Sequence, residues 1–168
     1  MSSDQTSVGN SKVTSSECPF CNFRDLAIIF ESEFFRAVYN KFPIVTGHSL
    51  LAPKRHIESF LELSTSESEE LFYVSKRIIS AVLRVFDTDS FDFALQEGVP
   101  AGGTIAHLHF HVIPRRVGDL GCPDDWYPEL LKQHIHPSNR ERVALSADEM
   151  LREARRIGEV VRNNQIDE

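Results

Sequence analysis

No apolar run in this 168-residue chain approaches the roughly 20 residues that a membrane-spanning helix needs. Positive charge is also in short supply: 18 Lys and Arg against 25 Asp and Glu leave a net charge of −7. That balance argues against non-specific binding to nucleic acid or to an anionic membrane, both of which need a positive surface. A small anionic ligand is compatible with it, because a local site can be positive on an acidic protein. Cysteine is scarce and odd in number, three in all, and two of them are spaced as Cys18-Pro-Phe-Cys21. This is no disulfide framework, and it points to a reduced, cytoplasmic protein. The first residues, MSSDQTSVGNSKVTSSE, lack the basic-then-apolar order of a secretory signal. Rich in Ser and Thr and poor in apolar residues, 1–16 read as a disordered tail, and 17–168 as one domain.

What is present is a run of short strands around two main helices. LAIIF (26–30) and FFRAVYN (34–40) read as strands joined at Glu31-Ser32-Glu33, and HSLLAP (48–53) as a third. Residues 64–86 read as a helix: Ser64 and Glu67 offer a capping box, and Leu71, Val74, Ile78, Val82 and Val85 recur at helical spacing. FDFALQ (91–96) is a strand, followed by a loop with Gly98, Pro100, Gly102 and Gly103. AHLHFHVI (106–113) is the next strand, ended by Pro114. Residues 117–145 are loop-rich, and a last helix over about 146–162 is capped by Ser146 and Glu149. This pattern predicts an α+β domain with an antiparallel sheet packed on one side by helices. The helical stripes are core.

The stretch IAHLHFHVIPRR sets His107, His109 and His111 at alternate positions, hence on one face of a strand, with Leu108, Phe110 and Val112 on the other. Three accounts compete: surface or satisfied core histidines, a three-histidine metal site, and nucleophilic catalysis. Geometry weighs against one metal on all three, since residues i and i+4 of a strand lie about 13 Å apart. A neutral imidazole attacks phosphorus well near pH 7, provided that a neighbour fixes the proton on its other nitrogen. The surroundings favour phosphate. Gly102-Gly103-Thr104 offers backbone amides and a hydroxyl to oxyanions, and Gln96 emerges near the same edge. Arg115 and Arg116 add positive charge or are simply solvated. Cys18-x-x-Cys21 suits one half of a tetrahedral zinc site, with two ordinary buried cysteines as the alternative.

QEGVPAGGTIAHLHFHVIPRR closely resembles the signature of the histidine triad (HIT) superfamily, and the likeness extends upstream through AVYNKFPIVTGHSLLAPKRHI (37–57). Gln96-Glu-Gly, Ala101-Gly102-x-Thr104 and the tail SADEMLREARRIGEVV are similar to its fragile-histidine-triad branch, the dinucleoside polyphosphate hydrolases. The resemblance covers about residues 24–162. It implies an HIT-like α+β fold with an antiparallel sheet of about five strands and two main helices. It also implies cleavage of a dinucleoside polyphosphate, such as diadenosine tri- or tetraphosphate, through a nucleotidyl-histidine intermediate that releases a nucleoside monophosphate.

By that resemblance His109 is the nucleophile. The carbonyl of His107 orients it, His111 bonds phosphate or the scissile oxygen, and His48 supports His111. Asn40 corresponds to a ribose contact, Leu50 to part of the base pocket, and Gln96 and Thr104 to phosphate contacts. Position 103, normally Gln in the branch, is Gly103, so one phosphate contact is missing. HIT proteins with an N-terminal Cys-x-x-Cys bind structural zinc through both cysteines, the His of a Pro-Lys-x-His segment and the first triad histidine, which are Cys18, Cys21, His56 and His107 in this chain. Magnesium would arrive bound with the substrate. The partners implied are a small nucleotide and a second copy in a homodimer, with no nucleic acid and no membrane. Two alternatives are a nucleotide-binding sensor with slow turnover and a nucleotidyl transferase. Transferases usually carry Gln at the third triad position, which His111 disfavours. His134, His136 and Cys122 read as incidental loop residues.

Overall fold

The computed structural model describes residues 18–22, 26–120 and 144–163. The assignments at 1–16, Cys122, His134 and His136 therefore lie outside the described residues.

Five antiparallel strands form one sheet in the order β1-β2-β3-β5-β4: β1 (Ile28–Glu31), β2 (Phe35–Tyr39), β3 (Ser49–Pro53), β4 (Ser90–Leu95) and β5 (Phe110–Arg115). Both long helices, α1 (Thr65–Val85) and α2 (Ala147–Asn163), pack on one face. The expected α+β architecture is therefore the one found. Each helix begins at its predicted capping box. Ser64 and Glu67 exchange side-chain and backbone bonds at the start of α1, and Ser146 and Glu149 do so at the start of α2. The sequence reading missed a third box, Ser59 with Glu62, around the short 3₁₀ turn Phe60–Glu62.

The main core lies between sheet and helices. Leu71, Val74, Ile78 and Val82 of α1 meet Ala154, Ile157 and Val161 of α2 over Phe35, Ala37, Leu51, Phe110 and Val112. The opposite face carries a smaller apolar cluster of Cys18, Phe20, Val38, Leu50 and Ala52. The N-terminal segment 18–22 thus covers part of the sheet's second face.

The triad strand departs from the expected 106–113. β5 begins at Phe110 and runs through Pro114 to Arg115, so His107 and His109 precede it, His107 in a bend. β3 pairs with β5 only over Ser49–Leu51 and Phe110–Val112. Before that, the Leu108 amide donates instead to the Ile57 carbonyl at 2.7 Å, on the segment that follows β3. Pro114 does not end the strand. It pairs with Phe91 of β4, beyond the reach of β3, so its missing N–H costs no ladder bond on that side. Arg115 is neither solvated nor aimed at the site, because its guanidinium bonds both Asp92 and Asp119.

Candidate active site and metal cluster

His48, His107, His109 and His111 are all buried. Buried neutral imidazoles have one donor and one acceptor nitrogen, so the surrounding groups decide which nitrogen carries the proton. Assigned in this way from the hydrogen-bond network, the four rings differ.

His109 Nδ1 lies 2.7 Å from the His107 carbonyl oxygen. A carbonyl only accepts, so Nδ1 holds the proton and Nε2 keeps its lone pair. Burial lowers the His109 pKa, and the bond to His107 partly offsets this. The ring is thus held neutral, which is the nucleophilic form.

His48 Nδ1 accepts from the Ile44 amide at 3.2 Å, and Asn40 Nδ2 sits against the ring, 3.3 Å from Nδ1 and 3.2 Å from Nε2. Its proton is therefore on Nε2, 2.9 Å from His111 Nδ1. This makes His111 Nδ1 the acceptor and leaves its proton on Nε2. His109 therefore presents a lone pair, and His111 presents an N–H. The two rings sit edge to face, 5.2 Å between centroids. Strand register places His111, which pairs with Leu50 on one side and Ala94 on the other.

His107 has a different set of partners. Its Nε2 lies 2.9 Å from the Pro53 carbonyl, so Nδ1 carries a lone pair. That lone pair faces Cys18 Sγ at 3.3 Å and Cys21 Sγ at 3.6 Å, and Cys21 Sγ lies 3.3 Å from His56 Nδ1. Burial, first of several causes, brings the His107 pKa down to about 4, so its ring is neutral at pH 7. Burial also pushes the Cys21 thiol up to about 11. All four ligand atoms lie within 4.8 Å of one another. A tetrahedral ion with Zn–S near 2.3 Å and Zn–N near 2.0–2.1 Å would set sulfur–nitrogen edges of about 3.5 Å. Three sulfur–nitrogen edges, at 3.3, 3.6 and 3.3 Å, match that spacing, so this donor set fits zinc.

A cavity of about 580 Å³ opens beside His109, lined among others by Ser59, Gln96, Gly103, Thr104 and Ile105. Gln96 is buried at the end of β4, and among the described residues its Nε2 has no hydrogen-bond partner. A buried orphan donor at a cavity wall awaits an acceptor. Thr104 is exposed on the same wall. The glycine loop behaves otherwise than expected. The amides of Gly102 and Gly103 donate to the carbonyls of Val99 and Gly98. They are used within the turn Val99–Ala101 and are not offered to an oxyanion. A Cβ at Gly103 would lie 2.8 Å from the Gln96 carbonyl oxygen and 3.0 Å from the Gly98 nitrogen. Close backbone approach therefore requires glycine at this position.

Asn40 is half-buried, with Oδ1 accepting from the Phe42 amide and Nδ2 donating to His48. Leu50 is buried in the small apolar cluster beside Val38 and Phe20. Two features escaped the sequence reading. Phe20 lies against His109 and His107. Glu97 accepts from Ser59 Oγ and the Phe60 amide, each at 2.7 Å, and so ties the cavity wall to the segment after His56. Neither contact leaves a periodic trace in sequence.

The HIT domain profile matches residues 24–118. The chain is 34% identical over 127 residues to a bis(5'-adenosyl)-triphosphatase from Dictyostelium discoideum, covering 76% of this chain and 85% of that one. It is 32% identical over 122 residues to an asymmetrical bis(5'-nucleosyl)-tetraphosphatase from Schizosaccharomyces pombe, covering 70% and 67%. Among solved structures, a hypothetical histidine triad nucleotide-binding protein from Sulfolobus tokodaii superimposes with a TM-score of 0.69 at 29% identity, over 87% of this chain and 93% of that one. A zinc-bound histidine triad family protein from Mycobacterium smegmatis shares the fold, with a TM-score of 0.66 at 24% identity over 89% and 99%.

Proposed function

The chain belongs to the HIT domain family, and we propose that it hydrolyses a dinucleoside polyphosphate, such as diadenosine tri- or tetraphosphate, in two steps. One observation carries this reading: His109 presents a lone pair and His111 an N–H, side by side, each tautomer set by a separate partner. In the first step His109 Nε2 attacks the α-phosphorus. The bond to the bridging oxygen breaks, and a nucleotidyl-histidine forms. His111 Nε2–H bonds the oxygen that gathers charge, with His48 holding the ring in place. A nucleoside polyphosphate is a stable anion at neutral pH, so the leaving group needs a hydrogen bond and not a proton. In the second step the oxygen of a water molecule bonds phosphorus, His109 departs with its lone pair, and a proton goes to solvent.

In the same reading, the unpartnered Gln96 Nε2 bonds a phosphate oxygen, and the Thr104 hydroxyl faces the phosphate chain. Leu50 and its apolar neighbours receive the base, and Asn40 lies beside the ribose. Gly103 contributes space without a donor. Zinc on Cys18, Cys21, His56 and His107 would pin the N-terminal segment to the triad, and four protein ligands would close its shell to substrate. A reduced, cytoplasmic setting suits two thiols committed to a metal.

Homodimerisation is supported by β4, which lies at the sheet edge. It leaves Phe91 and Phe93 substantially exposed, at 44% and 36%. An unpaired edge with apolar side chains suits a second copy. The direct test is product analysis after incubation with diadenosine tri- and tetraphosphate, adenosine phosphosulfate and adenosine phosphoramidate. Release of AMP from a diadenosine polyphosphate is expected; turnover of none of the four by zinc-replete protein would refute the enzyme reading.

A further inference from the structure

Phe20 stands between the two cysteines of the metal cluster. The turn that carries it is closed by its own backbone, with the amides of Cys21 and Asn22 both reaching the Cys18 carbonyl, at 3.2 and 2.9 Å. The side chain is buried at 5% exposure. Its ring centroid lies 5.0 Å from that of His109 at an interplanar angle of 31°, and 5.2 Å from that of His107. His109 is thus flanked by Phe20 and, at 5.2 Å, by His111. Among the described residues, the hydrogen bond that holds it runs to the His107 carbonyl. That bond fixes the Nδ1 proton but leaves ring tilt to be set by packing.

We infer that Phe20 is a positioning residue for His109, through which metal occupancy of the Cys18–Cys21–His56–His107 cluster reaches the nucleophile. The cluster grips the nucleophile at two points. Through His107 it fixes the residue whose ring faces the cysteines and whose carbonyl holds His109 Nδ1–H. Through the Cys18–Cys21 turn it fixes the Phe20 wall against the His109 ring. With the metal removed, the turn keeps its backbone bonds but loses its anchor to His56 and His107, and the wall is released. Apolar packing alone would also bury Phe20. A positioning role differs in that it moves the state of the His109 ring and the chemical step, with the fold left intact. This inference rests on the reading of His109 as the nucleophile, so its test includes a readout that needs no substrate.

The experiment compares wild type, chelator-stripped wild type, Phe20→Ala, Phe20→Leu and Phe20→Tyr at pH 7.5. It measures metal content, melting temperature, ring-nitrogen NMR of His109, and kcat and KM on diadenosine triphosphate. Phe20→Ala is expected to keep one equivalent of zinc. It should lower kcat by about 10- to 100-fold with KM changed less than about threefold, because misplacing a reacting group costs rate more than binding. In Phe20→Ala and in stripped protein alike, the slow-exchanging Nδ1–H signal of His109 should broaden and exchange faster, because a ring free to tilt holds its bond to the His107 carbonyl less tightly. Phe20→Tyr should restore the wild-type signal and most of kcat. If Phe20→Ala loses metal or melts, Phe20→Leu, which keeps the apolar bulk, takes its place in the comparison. An unchanged His109 signal, or an unchanged kcat, in the folded, metal-loaded variant overturns the inference. Should wild type turn over no nucleotide, the proposed function falls, and the His109 signal alone decides the positioning role.

Discussion

His109 Nδ1 and the His107 carbonyl oxygen are 2.7 Å apart, and this bond decides which nitrogen of the central triad histidine is free to react. The same residue that supplies the carbonyl points its ring at two cysteines. One backbone position therefore connects the candidate metal cluster with the candidate nucleophile.

His109→Asn is expected to lower kcat on the order of 10⁴-fold, because it removes the attacking atom. His111→Asn should lower kcat by about 10²–10³-fold, the usual loss for one donor at a developing charge. Both should leave the melting temperature within a few degrees of wild type. Steady-state kinetics with a thermal melt check this. Equal losses of kcat for the two variants, or a change in KM alone, would contradict the division of roles.

Restoring the branch's usual residue, Gly103→Gln, should harm the protein. Its Cβ would meet the Gln96 carbonyl at 2.8 Å, so the loop must open and Gln96 must move. The expected results are a destabilisation of about 1–3 kcal/mol and a fall in kcat/KM of about tenfold. Denaturant unfolding and kinetics measure the two effects. A gain in kcat/KM would show that the loop has room for the missing contact.

The order of legibility follows the range of the forces involved. Both long helices were readable because Ser64 with Glu67 and Ser146 with Glu149 are local signals, and the apolar spacing behind them is regular. The alternation of Leu108, Phe110 and Val112 correctly marked the core face. The start of β5 was misplaced because it depends on where β3 stops pairing, and the Leu108 amide turns to Ile57, a residue more than fifty positions earlier. The Gly102 and Gly103 amides looked available because composition does not reveal that the turn consumes them. The ligand set came from resemblance, and the structure brings those four side chains together. Phe20 is not legible, because a phenylalanine between two cysteines carries no sign of what it will lie against.

Glu67 ties the start of α1 to the segment that carries His56. Its carboxylate accepts from Arg55 Nε and Nη2 and from the Ser64 amide. The Arg55 hydrogen bond, opposed by burial, brings its pKa from 4.5 down to about 2. A pKa depressed by folding contributes stability above the unfolded value, and that stability is lost as pH falls toward the folded value. Glu67→Gln should therefore cost about 1 kcal/mol at pH 7, a figure kept small because Arg55 is half-exposed. The cost should shrink between pH 4.5 and about 2. Urea unfolding of both proteins across that range checks this, and a cost that stays constant with pH would assign the effect to packing.

His56→Ala removes the histidine donor of the cluster that lies outside the triad. Metal bound per chain should fall below one equivalent, and Tm should drop by roughly 5–10 °C. Added zinc should raise the Tm of wild type stripped with chelator but not that of the variant. Elemental analysis with and without remetallation reads the first effect, and calorimetry the second. A variant that holds a full equivalent of zinc would remove His56 from the ligand set.

The central claim is covalent catalysis at His109. It is tested most directly by quenching the wild-type protein in alkali during turnover of diadenosine triphosphate and mapping the modified peptide by mass spectrometry. The account predicts one AMP moiety on His109, absent from His109→Asn. Full turnover with no adduct, or an adduct on another residue, would contradict it.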